Sequence, residues 1–422
     1  MRKMQLGRGA TISLTAALLL LASACGGGDD GAEPDAAAPT DGATDAPAGG
    51  GDLLIWTSDL EEPAVQAVAD KFSEEQGVNV EVEVIAEELQ TQFVTASQAG
   101  NAPDLITGAH DWIGNLVQNG TIDPIQMTEE QKAAFNPLTV QAFTYNGQIY
   151  AVPYALENIV LFRNTDYAPD APATFEDMLA SGQACVDDGQ CEEIMALPVG
   201  ENGDPYHMYP FYTSAGGYLF GETAEGEYDP ADLGVADPSA TEAMAKIGEN
   251  GETGSGAFKR SISGENAVSL FTEGKTAYVV TGPWSLPAIE ESGIPYAISP
   301  IPGFEDGGPA RPFIGAYGMY VASGGDNKAI AQEFATNYFS TLDSQVTMYE
   351  EGGRAPALTE AFDQVAPEDP NVQAILDAGK DGDPMPAIPE MAAIWSPMGV
   401  AVAAVVGGED PAVATEAAAT AI

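Results

Sequence analysis

Phe271-Thr272-Glu273-Gly274-Lys275-Thr276-Ala277-Tyr278-Val279-Val280-Thr281-Gly282-Pro283-Trp284 is the stretch whose reading decides the fold. Phe271 marks a helix end and Gly274 a turn, and the apolar run from Ala277 reads as a buried strand. The strand stops at Gly282-Pro283, so Trp284 is delivered into a loop. A large aromatic held by a Gly-Pro loop is a platform on which an apolar ligand face can lie.

Working outward, Leu53 to Trp56 reads as a short apolar strand. Pro63 to Phe72 places Val65, Val68 and Phe72 on one helical face, and Val78 to Val84 alternates as a strand. Strand, helix, strand is the βαβ unit of a parallel sheet. Thr91 to Ala99 predicts another helix and Pro103 to Ile106 another strand. The alternation resumes late in the chain, with a strand at Met319 to Ala322 and a helix at Lys328 to Phe339 that holds Ile330, Phe334 and Tyr338 in register. Thr128-Glu-Glu-Gln131 and Thr174-Phe-Glu-Asp177 have the form of capping boxes that open helices.

A chain of 422 residues suits two lobes better than one core. Arg2, Lys3 and Arg8 precede the apolar run Ala10 to Ala24, which is too short for a membrane span and reads as an export signal. The run ends Leu21-Ala-Ser-Ala-Cys25, which resembles a bacterial lipobox, so residues 1–24 are expected to be a lipoprotein signal and Cys25 the lipidated residue. Residues 25–52 are rich in Gly, Asp, Ala, Pro and Thr and form a tether. Outside the cytoplasm, Cys185 and Cys191 most simply form a local disulfide. The formal charge of -50 argues against nucleic acid as a partner. It reads as a solvated, self-repelling surface and carries no information about a ligand.

The Phe-x-x-Gly-x-x-Ala stretch with its Gly-Pro-Trp closely resembles the signature of extracytoplasmic solute-binding proteins of the maltose/maltodextrin type, which serve ABC importers. Gly108-Ala-His-Asp-Trp-Ile-Gly-Asn-Leu-Val-Gln-Asn-Gly120 and Met385-Pro-Ala-Ile-Pro-Glu-Met-Ala-Ala-Ile-Trp395 extend the resemblance, which lies closest to Gram-positive lipoproteins. It implies a two-lobed α/β, periplasmic-binding-protein-like fold of type II, with a ligand cleft between lobes joined by hinge segments. Lobe I is then 53–155 plus 315–362, and lobe II 156–312 plus 365–422. The crossings are expected at Pro153 to Phe162 and at Arg311 to Gly315. The implied function is capture of maltose or maltodextrin by hinge closure and delivery to a membrane permease, by a monomer that needs no cofactor.

A sugar presents C–H patches to aromatic faces and hydroxyl rims to carboxylates. By resemblance, Trp284 and Trp395 stack on the sugar, Tyr206 contacts it, and Asp111 and Glu157 bind hydroxyls. Asp59, Asp204 and Tyr209 complete the expected set. Trp112 stands where relatives often carry Arg. His110 reads as a satisfied core histidine, His207 as a solvated helix-face residue, Trp56 as core, and Arg354 as one member of a salt bridge.

Other chemistries fit less well. Gly274-Lys275-Thr276 lacks the upstream glycine of a P-loop, and neither a His-Glu-x-x-His nor a Gly-x-Ser-x-Gly motif occurs. Paired carboxylates leave a glycoside hydrolase formally open. Trehalose, cyclodextrins and, further off, a polyamine are the alternative ligands.

Overall fold

The computed structural model describes residues 53–223 and 228–422; the export signal, Cys25 and the tether lie outside the described residues. β1 (Leu53–Thr57), α1 (Glu62–Gln76) and β2 (Val80–Val84) make the expected parallel unit, with Leu53 opposite Val80. α1 starts with Pro63 in its first turn, buries Val65, Val68 and Phe72, and stops at Gly77, whose φ of 68° suits a residue without Cβ. After α2 (Leu89–Ala99), β3 (Leu105–Ala109) adds to the other side of β1, again parallel.

The return strand Phe313–Ala322 lies antiparallel between β3 and the crossover strand Ala151–Asn158. Ala355–Pro356 forms the far edge of this mixed sheet. Its core includes Phe93, Phe143 and Tyr320. A second, antiparallel sheet has Val160–Asn164 at its centre, flanked by Tyr278–Thr281 and Tyr296–Ser299. Helices cover it, among them Phe175–Asp187 and Pro205–Ser214, and bury Phe175, Phe211, Phe258 and Phe304 against one another. Two sheets with separate cores give the two-lobed α/β architecture.

The chain passes from one sheet to the other at Asn158 to Val160, with only Ile159 between strands, and returns between Ser299 and Phe313. The expected lobe bounds, with lobe I ending at 362 and lobe II resuming at 365, imply a third passage. The helix Pro370–Ala378 packs on Tyr296–Ser299, and Asp383–Pro384 then pairs in parallel with Phe313–Ile314. The side-chain amide of Asn158 donates to the Ile375 carbonyl at 2.9 Å, and Arg311 is ion-paired with Asp383, so the passages are tied together.

Three local readings change. The alternation of Val78 to Val84 holds as an alternation of burial only to Val82: Val78, Val80 and Val82 pack toward the core, while Val84, at the end of the edge strand, is exposed. The helix read over Lys328 to Phe339 is α-helical to Glu333 and then a π-helical turn, Phe334–Phe339. Phe334 and Tyr338 still share a face as read, and both meet Phe72, at 4.9 and 4.8 Å. Thr128 and Gln131 form a full capping box, whereas Thr174 caps its helix without a reciprocal bond from Asp177, whose side chain is shorter than Glu or Gln.

Cys185 and Cys191 are joined as a disulfide across the end of the helix Phe175–Asp187, with Cα atoms 5.2 Å apart. So short a loop constrains the unfolded chain by about 2 kcal/mol. Replacing both cysteines by serine is expected to lower the unfolding free energy in urea by that amount; a loss below about 0.5 kcal/mol would show that the bridge contributes little.

Candidate functional site

A cavity of about 270 Å³ opens between the two sheets, lined from the first by Leu60, Ala109, Asp111, Trp112, Glu157, Tyr317 and Arg354 and from the second by Tyr206, His207, Trp284 and Trp395, with Met385 at the passage between them. Three of the four tryptophans of the chain line it. Tyr206 and Trp395 also wall an adjoining open groove of about 740 Å³ that includes Asn202, Asp204, Ser263 and Glu265.

Close backbone approach sets the aromatic platforms. Trp284 follows the strand Tyr278–Thr281, and its ring lies against Gly282 so closely that a methyl group there would collide with Cζ3 and Cη2. Trp112 lies on Gly108 in the same manner. In both places glycine is needed for proximity, since its backbone stays outside the left-handed region. Tyr206 stands in the first turn of Pro205–Ser214, 6.0 Å from Phe313 in a stacked arrangement and 6.5 Å from Trp284.

At the base of the cavity Arg354, 4% exposed, pairs with Glu157 and, through Nη2 at 2.9 Å, with Glu61. Its guanidinium lies over Tyr317, 4.8 Å from the ring centroid, and 5.8 Å from the ring of Trp284. Burial favours loss of the Arg354 charge, but Glu157 and Glu61 outweigh it and hold the group cationic. Burial also raises the Glu157 carboxyl above the usual range, against the pull of Arg354.

Asp111 follows β3 in the turn His110–Trp112. Burial pushes its carboxyl up to about 7, opposed by its own backbone N–H and by the neighbouring Trp395 side chain. His110 beside it is buried and neutral, its pKa lowered to about 4 chiefly by desolvation. Its Nδ1 accepts from the Ala316 N–H and its Nε2–H donates to the Met385 carbonyl, each at 3.1 Å. That fixes the turn bearing Asp111 to the return strand and to the segment leading to Trp395. Two buried polar atoms at the cavity, Asp111 Oδ1 and Tyr206 Oη, have no hydrogen-bond partner.

The structure thus brings Asp111, Glu157, Tyr206, Trp284 and Trp395 together. Three other expected contacts stand apart from the cavity. Asp59 is exposed, while the turn it belongs to directs Glu61 inward to Arg354. Tyr209 is buried, stacked on Phe313 at 3.7 Å with an interplanar angle of 5°, and hydrogen-bonded to Asp383. Asp204 caps its helix: its carboxylate accepts from the His207 N–H at 3.0 Å and pairs with His207 Nδ1 at 2.7 Å. Burial would raise that carboxyl, yet His207 holds it below the usual range. His207, read as solvated, lines the cavity with its side chain 13% exposed. Arg354 is ion-paired as read, and is also part of the cavity wall. Tyr317 went unnoticed in the sequence; its signal is an aromatic set between Gly315 and Gly318 just after the return crossing.

Among the described residues no group of His, Cys, Asp and Glu could hold a metal ion, and no helix is long and apolar enough to cross a membrane. The raised Asp111 carboxyl fixes a sign for stability. The folded state binds this proton more tightly than the unfolded chain, so the group costs stability progressively from about pH 4 to about pH 7 and by a constant amount above. Asp111→Asn is therefore expected to raise the melting temperature of the unliganded protein above pH 7 and to leave it little changed near pH 4. A pH-independent difference would mean that Asp111 does not titrate in this window.

Residues 67–374 match the family described as bacterial extracellular solute-binding protein. The chain is 29% identical to the galactooligosaccharide-binding protein of Bacillus subtilis over 380 residues, 88% of each chain. It is 27% identical to the maltodextrin-binding protein of the same organism over 82% of each chain. Over 82% of each chain it is also 25% identical to a maltooligosaccharide ABC transporter solute-binding lipoprotein of Streptococcus pneumoniae. These relatives are named for binding and not for catalysis. With a match spanning most of its length and both sheets, the chain belongs to the bacterial extracellular solute-binding proteins.

Proposed function

We propose that this protein captures an oligosaccharide outside the cell, with maltose and maltodextrins as the ligand class, and hands it to the permease of an ABC importer. The observation that carries this reading is the composition of the cavity: aromatic walls beside two unpartnered buried polar atoms, Asp111 Oδ1 and Tyr206 Oη. Sugar C–H faces match the walls, and sugar hydroxyls can donate to the one and pair with the other. The groove that continues past Tyr206 and Trp395 favours more than one ring. The galactooligosaccharide-binding relative makes galactooligosaccharides the second reading.

The proposed lobes are 53–155 plus 315–362 and 156–312 plus 365–422, with closure by bending at residues near 155 and 313. Since Asp111 and Trp112 stand on one side and Tyr206 and Trp284 on the other, a sugar gains its second set of contacts only when the lobes approach, and it shifts the population toward the closed form. The lipobox-like sequence, and a relative named as a lipoprotein, support a lipid anchor at Cys25.

Titration with maltotriose is expected to change tryptophan fluorescence and to reduce the radius of gyration in small-angle scattering. Trp284→Ala should weaken that binding by about 1 to 3 kcal/mol while the fold persists. No response to any α-glucan by fluorescence, calorimetry or melting temperature would defeat the ligand assignment. Cys25→Ser is expected to release the protein into the medium; retention on the cell surface would refute the anchor.

A further inference from the structure

His207 reaches the cavity from the first turn of the helix Pro205–Ser214, with its side chain mostly buried. Two rings hold its imidazole edge to face: Tyr206, with centroids 5.4 Å apart and an interplanar angle of 82°, and Trp284, at 6.2 Å and 87°. Asp204 supplies a third contact, which fixes the turn of the ring. Its Oδ2 lies 2.7 Å from Nδ1, while its Oδ1 accepts from the His207 N–H at 3.0 Å. The helix that Asp204 caps thus pins the carboxylate, and the carboxylate pins the ring.

An ionised carboxylate only accepts, so the proton of the neutral imidazole is placed on Nδ1 and Nε2 is left as an acceptor. Asp204 borders the adjoining groove, whereas His207 lines the cavity. The two nitrogens lie on opposite sides of Cε1, so a ring whose Nδ1 is turned to Asp204 carries Nε2 away from the groove and toward the cavity. Nε2 has no hydrogen-bond partner among the described residues. Glu157, by contrast, is committed to Arg354.

We propose that His207 is a further ligand-contacting, specificity-determining residue of this site: Nε2 takes a hydroxyl of the bound oligosaccharide, and Asp204 is the positioning residue that holds the ring for it. The inference rests on the oligosaccharide reading above. It gives Asp204 an indirect role where the sequence pointed to direct contact. An acceptor of fixed direction rewards a hydroxyl in one place, and it is left desolvated and unpaired by a ring whose hydroxyl is missing or inverted there.

The test is calorimetric titration of the mature protein with maltotriose and, separately, with β-1,4-linked galactotriose, alongside melting temperatures without ligand. The variants are followed with the sugar that the unaltered protein binds more tightly. His207→Phe keeps a flat ring between Tyr206 and Trp284 but no acceptor, and should weaken binding about three- to tenfold. His207→Gln carries an amide to about the reach of Nε2 and should bind more tightly than His207→Phe. Asp204→Asn keeps an oxygen for the helix cap, but its amide donates to Nδ1 and moves the ring proton to Nε2. It should weaken binding about threefold with the melting temperature little changed, and add less than about 1.5-fold in the His207→Phe background. Unchanged binding by His207→Phe, or an effect of Asp204→Asn that is the same with and without the imidazole, would overturn the inference while leaving oligosaccharide binding intact. Where His207→Phe does not fold, unchanged binding by Asp204→Asn would overturn it. Binding of neither sugar by the unaltered protein would overturn the oligosaccharide reading itself, and this inference with it.

Discussion

Arg354 reaches the base of the cleft with its guanidinium out of water, and a desolvated cation persists only where opposite charge and hydrogen-bond acceptors surround it. Glu61 comes from the turn before α1, Glu157 from the crossover strand, and Arg354 from the turn leading into Ala355–Pro356. Three segments far apart in sequence are thus held by one ion. The same ion lies over Tyr317 on the return strand and near Trp284 of the second sheet. Loss of the cation would leave two buried carboxylates facing each other, a change of several kcal/mol in an isolated pair. The floor of the site and the orientation of its main platform therefore have a common origin.

Around this fixed base the cavity breaks the rules that govern the two cores. In the cores, side chains are mostly apolar, and unpartnered atoms such as Tyr154 Oη and Gln345 Oε1 are scattered singly. At the cavity a carboxyl is buried at the cost of a raised pKa, a phenol lacks a partner, and two glycines are occupied by indole rings instead of their own side chains. Such local inconsistencies collect where a ligand supplies what the chain withholds. His110 makes this tolerable by fastening the Asp111 turn at two points, so the carboxyl cannot swing out to solvent.

What could be read in the sequence was what local pattern controls. The parallel unit of β1, α1 and β2 follows from apolar periodicity, a proline start and a glycine stop, and the placement of Trp284 follows from the Gly-Pro that ends its strand. Asp111 and Glu157 were legible because each immediately follows or lies in a strand of the large sheet, and motif resemblance located them. Helix Pro205–Ser214 marks where pattern fails. Tyr206 and Tyr209 are one turn apart and look equivalent, but one enters the cavity and the other lies flat on Phe313, a distinction made by the return strand about a hundred positions later. Asp204 was read only as a ligand acid, and it also caps its helix and pairs with His207 while lining the adjoining groove. Asp59 and Glu61 are neighbours in one turn, and the position of Arg354 decides which turns inward.

The acidity of the chain leaves few free carboxylates in the cavity itself, while Glu201 and Glu265 border the adjoining groove. With 64 acidic residues, a dication such as a polyamine is the natural partner to suspect. Such a ligand needs carboxylates free to face it, and the cleft has few. Glu61 and Glu157 share Arg354, Asp204 is held by His207, and burial disfavours the charge of Asp111, pushing its carboxyl up to about 7. The aromatic faces suited to an ammonium group by cation–π contact already have the Arg354 guanidinium over Tyr317 and near Trp284. A neutral, hydroxylated ligand avoids each of these conflicts. It brings donors to Asp111 without competing for Arg354 and covers the indoles with C–H surface, so the chemistry of the cleft is decoupled from the charge of the surface around it.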